Sequence, residues 1–162
     1  MTDRKVLVEN MTNATVTLVV RNSNFKRELK GEGAKVYIPF DIIYNGMSEP
    51  GVDVMFNQGY LRIADRQDRI DLGLEIDTEE NTENVQIALS SKEMLEILKE
   101  NNPIKIKETL NTLAEKQRIK FAQVAAENGI YTPGLAKLIN DFTGLDLLKI
   151  MSDLKKEQED NE

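Results

Sequence analysis

The sequence predicts an α+β protein, with an N-terminal antiparallel β-rich part followed by a C-terminal helical bundle. Three observations lead there. Before residue 64 the apolar side chains recur mainly at every second position among Val, Thr and Ile, as in half-buried strands. From Ser91 onward they recur at every third or fourth position, as on one face of a helix. Between these patterns lies a change in charge: residues 65–102 carry 11 acidic and 4 basic side chains, against 7 and 8 in residues 1–64 and 10 and 9 in 103–162. The organisation expected is a β-rich part with a short helix over 1–64, an acidic connecting segment over 65–90, a helical part over 91–157 and an acidic tail over 158–162.

In KVLVEN, Val6 and Val8 alternate with Lys5, Leu7 and Glu9. After the turn-like Met11-Thr12-Asn13, Val16, Leu18 and Val20 share one face, so the two runs are expected to pair as a hairpin. FKRELK supplies a third strand, and Gly31-Glu32-Gly33 a turn into KVYIP. Pro39 ends that strand, with Asp41 placed to cap a brief helical turn. Ser48 and Pro50 precede a short helix over VDVMFNQ that Gly59 closes, and YLRI returns as a strand.

The middle is expected to form an acidic β-hairpin, because Ile70, Leu72, Leu74 and Ile76 fall at period two and VQIAL offers a partner across DTEENTEN. Asp77, Glu79, Asn81 and Glu83 imitate the spacing of a calcium loop. Such a loop needs Gly at its sixth position and Glu at its twelfth, and this chain has Thr82 and Ala88 there, so a solvated turn is the reading.

Ser90 or Ser91 caps a helix with Met94, Leu95 and Leu98 on its apolar stripe, broken at Asn101-Asn102-Pro103. The next stretch, through Ile106, Leu110, Leu113, Phe121 and Val124, is either one long helix or two joined near Glu115 to Gln117. Gly129 stops it, Thr132-Pro133 starts another that Gly144 ends, and Asp146 opens the last, DLLKIMSDLKK. The closing QEDNE is expected to fray.

Composition narrows function. With 40% apolar and 30% charged residues the chain is a folded globular protein rather than a disordered one. The absence of His and Cys removes the commonest general base, the usual soft metal ligands and the thiolate nucleophile. No phosphate-cradling or nucleophile-elbow motif occurs, and a carboxylate pair drawn from Asp65, Asp68 and Asp71 lacks the aromatic-lined cleft a glycosidase needs in a chain without Trp. The reading is non-enzymatic, with no catalytic, cofactor-binding or metal-binding set. No apolar run is long enough to span a membrane, and the N-terminal residues lack a signal-peptide core. A net charge of −7 opposes general binding to nucleic-acid backbone.

Two nucleic-acid readings form the alternative to protein binding. VAAENGIYTPGLAKLI has helix-turn-helix spacing, which makes Thr132, Lys137 and Asn140 the candidate DNA contacts of a regulator, although its second helix begins Pro133-Gly134 and has no arginine. The acidic stretch could imitate DNA, but Arg66, Arg69, Lys92 and Lys99 interrupt it.

VLVENMTNATVTLVV, GEGAKVYIPFDII, PGVDVMFNQGYLRI and INDFTGLDLLKI together resemble small proteins encoded among the structural genes of tailed bacteriophages, which are likewise arranged as a β part followed by a helical part. The resemblance implies a component of the head or head-to-tail junction that works through contacts with other virion proteins, in multiple copies, within a particle assembled in the host cytoplasm. The expected interface residues are Val16, Leu18 and Val20 at a strand edge, and Ile150, Met151 and Leu154 on an apolar stripe of the last helix too broad for one neighbour.

Overall fold

A computed structural model describes residues 3–75 and 88–160. It has antiparallel strands followed by helices, the α+β class expected, in two compact units, Met1–Ala88 and Leu89–Glu162.

In the first unit, β1 (Lys5–Asn10) is the middle strand of a sheet, flanked by β4 (Lys35–Pro39) and β5 (Leu61–Ile63). Both pairings are antiparallel. β2 (Val16–Val20) and β3 (Phe25–Leu29) form a separate two-stranded sheet, joined through the 3-10 turn Arg21–Ser23 and Asn24 in the left-handed conformation. The expected pairing of β1 with β2 is therefore replaced. Both sides of β1 are taken, and Asn10 turns the chain out of its sheet: its side-chain oxygen accepts from Thr12 N at 2.8 Å, while its amide donates to Ala14 O at 2.8 Å and Leu29 O at 3.0 Å. Asn10 is fully buried, and these bonds satisfy its polar atoms.

Alternation sets the core. Val6, Val8, Ile38, Leu61 and Ile63 point inward and meet Leu18, Val20 and Leu29 of the second sheet. Three short helices complete the unit: α1 (Phe40–Gly46), α2 (Val52–Asn57) and α3 (Arg66–Asp71). Gly46 lets α1 approach β2, since a Cβ there would stand 3.0 Å from Val20 Cγ1. α1 and α2 start at Pro39 and Gly51 without side-chain caps, so neither Asp41 nor Ser48 fills the capping role expected of it. The acidic hairpin is also corrected over its described part. Asp65 accepts from Gln67 N and caps α3, Ile70 lies in that helix, and Gly73 at φ 78° turns the chain after Leu72. Ala88 and Leu89 belong to no strand. The loop with Asp77, Glu79, Asn81 and Glu83 lies outside the described residues.

The second unit comprises α4 (Ser91–Glu100), α5 (Pro103–Thr112), α6 (Glu115–Glu127), α7 (Pro133–Thr143) and α8 (Leu147–Asp160). Local chemistry sets its boundaries. Ser90 and Glu93 form a reciprocal capping box, Asn102 caps α5 ahead of Pro103, Thr132 caps α7 ahead of Pro133, and Asp146 accepts from Leu148 N at 3.1 Å. The open question between one helix and two resolves into two, broken at Leu113-Ala114, where Leu113 leaves the helix with ψ 145° yet stays buried. Arg118 closes the end of α5 by donating from Nε to Leu110 O at 2.7 Å, and its guanidinium lies 5.5 Å from the Phe142 ring. Phe121, Leu110, Met94, Ile139 and Leu147 are fully buried at the centre. α8 continues to Asp160, so Gln158, Glu159 and Asp160 of the expected frayed tail are helical.

Candidate functional site

The carboxylates after Asp65 are engaged in holding the first unit together. Arg4, on the entry to β1, donates to Asp68 from Nε and Nη2 and to Asp71 from Nη2 at 2.7 Å, while its guanidinium lies 4.1 Å from the Phe40 ring. Hydrogen bonds from Arg4 and then Gln67 hold the Asp71 carboxyl below its ordinary pKa, and the bond to Asp68 above all raises that of Arg4. Glu75 is buried, which pushes its pKa up, but the hydrogen bonds from Arg69 at 2.8 Å and Arg66 at 3.0 Å outweigh burial and leave it lowered. Arg69 Nη1 also donates to Ile63 O at 2.7 Å, fastening α3 to β5. Asp65, Asp68 and Asp71 are thus a helix cap and the two acceptors of one arginine. Their carboxylates are committed to Arg4 and to the start of α3.

The expected interface residues fall into two groups. Leu18 and Val20 are fully buried and Val16 is half-buried, so on β2 the side chain available at the surface is that of Val19. Ile150, Met151 and Leu154 are half-buried against the core of their own unit, where α8 packs chiefly on α6. Leu148 is the member of that stripe left outside, 55% exposed. The three DNA-contact candidates share α7, but two are committed locally: Thr132 Oγ1 accepts from Leu135 N at 3.1 Å and Asn140 Nδ2 donates to Leu145 O at 3.3 Å. Lys137 is exposed and has no partner among the described residues.

A concave surface that pattern reading missed lies between α5 and α7. It is a groove of about 300 Å³ walled by Pro103, Ile104, Ile106, Leu135 and Leu138, with Asn101, Lys107, Thr132 and Gly134 completing its lining. Ile104 is 71% exposed, the most exposed large apolar side chain of the described chain. Its signal was present in the sequence. Ile106 and Leu110 define the buried face of α5 at i, i+4, and an isoleucine two positions before that stripe begins must point away from it. The arrangement offers an apolar recess with one cationic side chain, a surface suited to receiving a hydrophobic side chain.

In the comparisons with known proteins, no family model, no curated protein and no solved structure matches the chain.

Proposed function

We propose that this protein is a non-catalytic, protein-binding component of a bacteriophage particle, a head or head-to-tail accessory or assembly protein. The observation that carries the binding role is the groove between α5 and α7, where Ile104 stands beside a recess lined by Leu135 and Leu138. An aliphatic side chain of that size at the mouth of an apolar concavity is characteristic of a contact surface, because solvating it there is unfavourable and a neighbour's side chain can bury it. The virion assignment rests on the likeness of four segments to proteins encoded among phage structural genes.

The test combines proteomics with one substitution. Mass spectrometry of purified particles should find the chain at fixed stoichiometry, and Ile104→Glu should fold normally by circular dichroism while its incorporation falls. A chain absent from particles sinks the virion role. Normal incorporation of Ile104→Glu sinks the groove as the docking surface.

A further inference from the structure

The sheet β4-β1-β5 has two outer edges, and they are finished differently. Two bonds at the ends of the β1–β4 ladder fix its phase: Phe40 N donates to Arg4 O at 2.9 Å and Asn10 N to Ala34 O at 2.9 Å. In the register Lys5↔Pro39 to Glu9↔Lys35, the residues of β1 that bond to β4 are therefore the even-numbered ones. The other side of β1 agrees, because Ala64 N donates to Leu7 O at 3.1 Å and Met11 N to Tyr60 O at 2.9 Å, so odd-numbered residues serve β5. Across β4, Val36 and Ile38 bond inward, and the backbone groups of Lys35, Tyr37 and Pro39 point away from the sheet. The same rule directs the carbonyl of Ile63 outward from β5, and there Arg69 claims it.

At the β4 edge nothing among the described residues takes this part. Pro39 has no N–H to offer, which blunts one end as edge prolines do. Among the described residues, the N–H and C=O of both Lys35 and Tyr37 have no partner, as two consecutive rungs of an unfilled ladder. The flanking surface has a definite chemistry. The Tyr37 side chain is 64% exposed, and Lys35 beside it and Lys5 opposite Pro39 are exposed cations with no ion pair among the described residues, whereas Arg4, Arg62, Arg66 and Arg69 all have one.

We propose that the outer edge of β4 is a strand-addition site that takes an extended, acidic segment of another protein. The unfilled rungs dictate an extended backbone. Tyr37 favours a β-branched or aromatic residue directly across from it, and Lys35 and Lys5 place carboxylates on either side of that residue. A second copy of this chain fits less well. Two-fold pairing centred on Tyr37 sets Lys35 against Pro39 of the other copy, which cannot donate; pairing centred on Val36 fills both rungs, but in either register the two edges bring their lysines together with no carboxylate between them.

The experiment is an NMR titration of the full, nitrogen-labelled chain with a short blocked peptide of alternating glutamate and valine, and separately with its lysine–valine counterpart. Saturable shifts centred on the Lys35 and Tyr37 amides, with slowed exchange of both, are expected for the glutamate peptide alone. Tyr37→Pro removes an outward donor without touching a bond to β1, and should weaken binding about tenfold or more. Lys35→Glu should weaken it about fivefold. If circular dichroism shows that Tyr37→Pro has unfolded, Lys35→Glu combined with Lys5→Glu serves in its place. Equal binding of the two peptides, shifts centred elsewhere, or no saturable binding overturns the proposal. Self-association that protects the Tyr37 amide without peptide also overturns it, by making a second copy the occupant.

Discussion

The two units differ in how they fix their folds. In the first, buried strands find partners far along the chain, and polar side chains tie the distant pieces together: Arg4 reaches Asp68 across 64 residues and Asn10 reaches Leu29 across 19. In the second, most polar fasteners are local, and the long-range ones converge on a single residue: Gln117 Oε1 accepts from Leu89 N at 3.2 Å and Lys120 Nζ donates to Leu89 O at 3.0 Å. Ser90 bonds Glu93 three residues on, Thr132 bonds Leu135 three residues on, and most of the longer-range packing falls to apolar side chains around Phe121. Ion pairs are thus a structural element in the first unit, while in the second the structural cations, Lys120 and Arg118, bond backbone carbonyls instead.

The hardest way to break that contrast is to remove the second unit's centre. Phe121→Ala should cost about 3 to 5 kcal/mol. Hydrogen exchange followed by mass spectrometry on the full chain should show the loss in α4 to α8, and equal loss in β1 would mean that the units are not separately stabilised. Asn10→Ala is the counterpart in the first unit. It strips bonds from the carbonyls of Ala14 and Leu29 and from Thr12 N, and should cost about 3 kcal/mol, with exchange accelerated in β1 to β4.

Acid distinguishes the units without mutation. Asp71 and Glu75 have folded-state pKa values below their ordinary 3.8 and 4.5. The stabilisation they give is complete above those values and is lost as pH falls through the lowered folded-state ones. Exchange protection should therefore fall first in β1, β5 and α3 on acidification, and Glu75→Gln should flatten the dependence. An acid response concentrated in α4 to α8 would contradict this division.

Ser90→Ala removes half of a capping box and should cost about 1 kcal/mol, felt in α4. The smallest effect is expected at Leu148→Asp, within about 0.5 kcal/mol, because that side chain is already outside. Ile150→Asp, which introduces a charge at a half-buried position against the core, should be clearly worse in thermal melts.

The same contrast explains what could be read from the sequence. Caps act over three residues, so Ser90, Asn102-Pro103, Thr132-Pro133 and Asp146 marked the helix starts correctly, and Gly144 marked an end. Strand alternation was equally legible in Val6 and Val8 or Leu18 and Val20. Partner choice was not, because β1 skips its neighbour for strands that arrive much later. Period two over Ile70, Leu72 and Leu74 concealed α3, whose evident local mark was the Asp65 cap. Arg4, the residue that gives Asp68 and Asp71 their role, carries no local mark at all. At the surface, the reading found the apolar stripe on α8, of which Ile150, Met151 and Leu154 are half-buried against the core and Leu148 lies outside. It passed over Ile104, whose position off the α5 stripe was the informative one.

The place of β1 has a consequence for how the chain is made. It precedes both of its partners in the chain and is the middle strand of its sheet, so neither of its flanks can be filled until β4 and then β5 have been synthesised. During that interval a valine-rich strand is unpaired on both sides, a condition that favours association with other nascent chains. The β2–β3 hairpin closes early, and the helices that follow can form as they emerge. Slow codons placed after β5 would give the sheet time to close, and a pause before it would prolong the exposure.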